Sequence, residues 1–248
     1  MAAFFVSASS QVLLNTAPAI TAMPITVAAW VRPNALGVDR NFWSLCDTAT
    51  ATNYFSLGQA AANTWRLRQT DDATPISLAI GTVTADQWAF VVARFVSATI
   101  RRMSVLQYGG SIAQGLSTTS DTPAGLDTMA IGALYHSAPT EYWGGDIAEL
   151  WYTNTDIQPD GLQLQNNTLR QLAYGGPFSV PHIADKIIEY RSFESGLGSD
   201  RDRPDEVYLG AGKTRPVWTN TNGVTLGAHV PLPGYYEGPT DARRIGVV

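Results

Sequence analysis

Apolar and polar positions alternate with a period of two through much of the first 155 residues. In PITVAAWVRP (24–33), Ile25, Val27, Ala29 and Val31 fall on one face, and Thr26, Ala28, Trp30 and Arg32 on the other. NFWSLCD (41–47), NYFSLGQ (53–59), TWRLRQT (64–70) and ISLAIG (76–81) follow. WAFVVARFV (88–96), RRMSVLQYGG (101–110), DTMAIGAL (127–134) and DIAELWYT (146–153) complete the series. Small polar or glycine-rich stretches such as TATAT and Gly109-Gly110 separate the runs. The pattern predicts roughly nine or ten strands, and strands at this spacing without intervening helical periods predict an all-β sandwich or barrel.

One stretch has a helical period. PDGLQLQNNTLRQLAY (159–174) places Leu162, Leu169, Leu172 and Ala173 near one face, and Gly175-Gly176-Pro177 stops it. Asn166-Asn167 weakens the centre, so a short helix is expected in the second half. Beyond Pro177 the character changes to a strand-like KIIEYRSF (186–193), a charged loop (195–206) and a Gly- and Pro-rich region with aromatics. The expected organisation is a sandwich over 1–176, a strand-and-loop region over 177–239 packing on it, and a tail over 240–248.

Charge narrows the function classes. A net charge of -5 and a pI near 5.1 argue against nucleic-acid binding, which needs a basic face. Fourteen of the sixteen basic residues are Arg; Arg is enriched at interfaces, although genomic base composition is the simpler explanation. Cys46 stands alone, so no internal disulfide forms, which fits folding in a reducing cytosol. The N-terminus lacks the charge and apolar run of a signal peptide, and no run is long enough to span a membrane.

EYWGGDIAELWYTNTDIQ (141–158) raises the question of catalysis. On an extended strand, Ile147, Glu149 and Trp151 share one face and Asp146, Ala148, Leu150 and Tyr152 the other. Asp146 and Glu149 are then not paired across one glycosidic bond. Asp185 and Glu189 on one strand would lie ~13 Å apart. His136, His182 and His229 are too scattered for a zinc motif, and Cys46 reads as a small buried hydrophobe. No catalytic residue, cofactor or metal is expected; Ca²⁺ at the Asp200–Asp202 loop is the weaker alternative.

Four segments carry a resemblance: PITVAAWVRP, ADQWAFVVARF (85–95), MAIGAL (129–134) and YWGGDIAELWYTNTDIQPDGLQ (142–163). Together they resemble the laminin-G-like, or concanavalin A-like, jelly-roll superfamily over roughly residues 1–175. Thr26, Trp30 and Pro33 match an early strand of that superfamily, Trp88 a middle one, and Gly145, Ile147, Glu149 and Asn154 a late one followed by a short helix. The resemblance implies an antiparallel jelly-roll β-sandwich. It does not settle activity, because this fold serves lectins, glycanases and scaffolds alike. The E-x-D-x-x-E strand of the glycanase branch does not occur here.

Residues 187–239, with IIEYRSFESG and HVPLPGYYEGP, further resemble phage-encoded virion proteins. That likeness implies a non-enzymatic capsid-decoration, tail or fibre component, with capsid or tail proteins as partners and a virion location. On this reading the chain forms a homo-oligomer, and Tyr235, Tyr236 and Ile245 are partner contacts. The alternative is a carbohydrate-binding module, with Trp43, Trp65, Tyr135 and Trp143 near strand ends as glycan contacts. Glycoside hydrolysis ranks third.

Overall fold

The computed structural model describes residues 2–71, 74–137, 139–158, 162–191, 193 and 218–227. The first strands are β1 (Ala2–Phe5), β2 (Val12–Asn15), β3 (Ile25–Pro33), β4 (Arg40–Cys46), β5 (Tyr54–Gln59), β6 (Trp65–Thr70) and β7 (Ile76–Ile80). Next come β8 (Ala89–Ser97), β9 (Ile100–Gln107), β10 (Ile112–Ser117), β11 (Thr128–Ile131), β12 (Leu134–Tyr135), β13 (Pro139–Thr140) and β14 (Gly145–Thr153). Two short helices, α1 (Asn166–Gly175) and α2 (Pro181–Ala184), precede β15 (Glu189–Arg191), β16 (Thr219–Thr221) and β17 (Thr225–Gly227).

Two antiparallel sheets result. The first has the order β10-β9-β8-β3-β14-β1-β17, with β15 also on β14; the second has the order β16-β2-β11-β4-β5-β6-β7. Ile25, Val27, Ala29 and Val31 face the second sheet and pack with Trp43, Phe55, Trp65 and Leu67. Phe95 lies between them, 4.6 Å from the Phe55 ring and 6.3 Å from Trp43. Burying each such side chain contributes ~1.5–3 kcal/mol, so this layer is the main source of stability.

The other face of the first sheet is also buried. Ala28, Trp30, Phe90, Val92, Ala148 and Trp151 meet Leu169, Leu172 and Ala173 of α1 and Ile183 of α2. Trp30 Nε1 donates to the Ala173 carbonyl at 2.8 Å, pinning the helix to β3. The buried Arg94 guanidinium holds the chain that leads to α1 through Asp156 (2.6 and 2.8 Å) and the carbonyls of Leu162 and Gln158. No helix among the described residues is long and apolar enough to cross a membrane.

The late strand departs from simple alternation. Pairing of β14 with β3 shifts register between Ala148 and Trp151, and Glu149 sits at φ 52°. This bulge adds one residue and inverts the faces beyond it. Ile147, Leu150 and Tyr152 therefore point into the sandwich core, while Ala148 and Trp151 point to the helical layer. The expected grouping of Ile147 with Trp151, and of Ala148 with Leu150 and Tyr152, is corrected accordingly. The expected strand over 127–134 also breaks, because Gly132 turns at φ 97° and a Cβ there would strike the Phe5 ring.

The sides of the sandwich are closed differently. Gly115 of β10 sits against β7, where a Cβ would lie 2.5 Å from Ile80 Cγ2. Opposite, Asn222 and Gly223 at positive φ turn the chain from β16 on the second sheet to β17 on the first. Trp218 enters the core there and donates to Glu189 Oε1 at 2.8 Å. Glu189 also accepts from Tyr152 and from Arg191 Nε at 2.5 Å, so its buried charge is satisfied. Of the described residues in the strand expected over 186–193, Glu189–Arg191 form a strand; Asp185 lies at the end of α2, not on one strand with Glu189.

Candidate functional site

The outer face of the second sheet is polar where that of the first is apolar. Trp65 and Leu67 point inward, so Arg66 and Arg68 point out. Both guanidiniums converge on Glu141, just after β13. Arg66 Nη2 lies 2.9 Å from Glu141 Oε2, and Arg68 donates to Oε1 at 3.0 Å and Oε2 at 2.5 Å. Asn41 Nδ2 adds a fourth bond at 2.6 Å, and the Asn41 N–H donates to the Glu141 carbonyl at 2.8 Å. Arg66 also pairs with Asp39 at 2.8 Å. Glu141 thus latches the β12–β13 hairpin onto the sheet.

The hairpin forms one wall of an open cleft of about 420 Å³. It contributes Tyr135, His136, Ser137 and Pro139; Thr16, Thr48, Asp127 and Thr128 line the rest. The sequence places these groups on separate elements: Thr16 just after β2, Thr48 in the β4–β5 turn, Asp127 at the start of β11. Asp127 accepts from the Thr48 N–H at 3.1 Å and from its hydroxyl at 2.8 Å. Asp47 orders the same turn, accepting from the Ala49 N–H at 2.8 Å and the Thr50 hydroxyl at 3.3 Å. Tyr135 is anchored by its backbone N–H on Ser44 Oγ at 3.2 Å, and its half-buried ring lines the cleft while packing against the cluster of Val12, Leu14, Ala130 and Ala133.

His136 stacks loosely on Tyr54, ring centroids 6.1 Å apart. Burial lowers its pKa below the usual 6.5; Glu141 opposes this and Arg68 adds to it. The cleft therefore combines an aromatic ring, a neutral imidazole, a carboxylate and hydroxyls. Such a set exchanges hydrogen bonds with a polyhydroxylated ligand and stacks on its apolar face.

Among the expected glycan contacts, Tyr135 reaches this cleft and three tryptophans do not. Trp43, Trp65 and Trp143 are at most 1% exposed and belong to the sandwich core. Trp143 meets Phe42 edge-on at 5.7 Å. Burial of these large rings against the opposite sheet outweighs any surface role, so they are corrected to core residues. Tyr235, Tyr236, Ile245, His229 and the Asp200–Asp202 loop lie outside the described residues.

The acids that raised the question of catalysis are engaged elsewhere. Asp146 is buried against Arg32 at 2.5 Å, and Glu149 accepts from the Tyr190 hydroxyl. Cys46 is buried, and burial pushes its thiol up to about 12, far from a reactive thiolate. Among the described residues, no three His, Cys, Asp or Glu side chains are grouped to hold a metal ion. Sequence reasoning missed Arg66, Arg68, Glu141, Thr48, Asp127 and His136. The alternation in TWRLRQT placed both arginines on one face, but nothing local showed that Asp127 would meet Thr48 across 79 residues.

A two-sheet jelly roll with an open polar face on one sheet defines a lectin-type domain. The chain belongs to the concanavalin A-like lectin/glucanases superfamily, whose laminin-G-type family model matches residues 6–161. No curated protein sequence matches it. A putative carbohydrate binding protein from Bacteroides ovatus is similar in fold at TM-score 0.56 and 13% identity, over 90% of this chain and 58% of that one. The heptameric SAP-like pentraxin of Limulus polyphemus is similar at TM-score 0.51 and 16% identity, over 88% of both chains. Domains LG4-5 of the mouse laminin alpha1 chain match at TM-score 0.49 and 12% identity, over 62% of this chain and 42% of that one.

Proposed function

We propose that this chain is a non-catalytic glycan-binding domain, and that the cleft between the β12–β13 hairpin and the start of β11 is its binding site. The observation that carries the proposal is the convergence of Tyr135, His136, Asp127 and Thr48 on one open cleft. An aromatic ring beside fixed hydrogen-bonding groups suits a sugar, whose ring offers an apolar face and a rim of hydroxyls. The lectin-type fold supports this, as does the similarity to the putative carbohydrate binding protein of Bacteroides ovatus.

The purified chain applied to a printed glycan array is expected to retain a defined subset of oligosaccharides. Tyr135→Ala should weaken that binding about tenfold while the chain stays folded, as a melting curve would show. An array with no retained glycan, or binding that survives Tyr135→Ala and Asp127→Ala together, overturns the assignment. A reducing-sugar assay on the retained oligosaccharides is expected to show no release. Display of this domain on a phage particle is a further part of the proposal, supported by the sequence pattern of residues 187–239; mass spectrometry of purified particles tests it.

A further inference from the structure

The cleft's charge bears on which glycans it takes. Among the described residues its lining contains one carboxylate, Asp127, and neither Lys nor Arg. The carboxylate accepts two bonds from Thr48 and keeps further acceptor capacity on its exposed side. Asp47 places a second carboxylate in the adjoining turn, held by Ala49 and Thr50. The two arginines beneath the hairpin do not offset this. Arg66 and Arg68 are committed to Glu141, and Arg66 also to Asp39; neither lines the cleft. His136 is held neutral near pH 7, because burial lowers its pKa below 6.5.

We infer that the cleft is selective for uncharged glycans, with Asp127 as the residue that both accepts hydrogen bonds from sugar hydroxyls and repels acidic sugars. This rests on the glycan-binding proposal above. An acidic sugar here would bring its carboxylate or sulfate toward Asp127, with no guanidinium or ammonium among the described lining residues to receive it. Like charges at such range disfavour binding by roughly tenfold at low salt. A neutral hexose or N-acetylhexosamine meets no such penalty. It can donate hydroxyl protons to Asp127 and lay its apolar face on Tyr135.

The test is a matched array: neutral hexose and N-acetylhexosamine oligosaccharides, and the same cores capped with sialic acid, uronic acid or sulfate. Neutral members should be retained and their acidic counterparts bound at least about tenfold more weakly at low salt, with the gap narrowing as salt is raised. Asp127→Asn keeps an acceptor for Thr48, so the turn is retained; it should narrow the gap. Asp127→Lys should reverse it, and melting temperatures would show that both variants are folded. Equal or tighter binding of the acidic members by the wild-type chain overturns the selectivity while leaving glycan binding intact. No binding to any member overturns both.

Discussion

The two sheets present outer faces of opposite character. On the first, Trp30, Trp151, Phe90 and Val92 are sealed beneath α1 and α2. On the second, Arg66, Arg68 and Ser56 stand under a two-stranded hairpin that leaves a cleft beside it. The difference follows from what each face can bury. An apolar face gains free energy by taking a helix, whereas a charged face is covered only where each charge finds a partner. The chain after β14 closes the first face with its own side chains. Among the described residues, the second keeps an open cleft at its outer face.

Loss of the cover on the first face should have the largest effect. Trp30→Ala removes a buried ring and the bond to the Ala173 carbonyl, and should cost about 3–5 kcal/mol in urea unfolding. A milder result would mean that α1 does not depend on the sheet. Glu141→Ala acts on the second face and should cost about 1–3 kcal/mol, because two largely buried guanidiniums lose their partner. Its glycan binding should vanish as the hairpin lifts, whereas Glu141→Gln retains one acceptor and part of the binding. If Glu141→Ala binds normally, the hairpin is positioned by other contacts.

Tyr135→Ala should cost about 1 kcal/mol in unfolding, because the half-buried ring also packs against the cluster of Val12, Leu14, Ala130 and Ala133. Its glycan affinity should fall by about tenfold through loss of stacking. This separates a binding face from a structural one more sharply than any core variant. The smallest effect should be that of pH. His136 titrates lower in the fold than in the unfolded chain, so below pH 6.5 the unfolded state takes up more protons. Stability is thus full above 6.5, declines as pH falls through the interval down to the folded value, and then levels off as far as this group is concerned. Melting temperatures across pH 4.5–7.5, compared with His136→Gln, should show that decline in the wild type alone.

Arginine usage shows how much meaning tertiary structure adds. Base composition or interfaces could account for the excess of Arg over Lys. In the fold, Arg66, Arg68, Arg94, Arg101 and Arg191 are all buried. Arg101 reaches Gln69, Ser117 and the carbonyls of Ala98 and Thr119. A planar fork of five donors satisfies several acceptors at once, which a Lys ammonium does less well in a confined site.

Local alternation was enough to locate β3 to β9, β11 and β14, the inward face of β3, a short helix stopped at Gly175-Gly176 and the all-β class, because a period of two is written residue by residue; it missed β1, β2, β10, α2 and the shortest strands. The jelly-roll family was equally readable from the segments around Trp30, Trp88 and Gly145. Tertiary structure alone decided the inversion at Glu149, since a bulge depends on the partner strand. It also decided that Trp43, Trp65 and Trp143 are core while Tyr135 stays half-buried at the cleft, because an aromatic at a strand end is buried or exposed by what folds over it. The cleft itself joins residues 16, 48, 127 and 135 from four separate elements. Their meeting is a property of strand order and loop packing, and no short window of sequence encodes it.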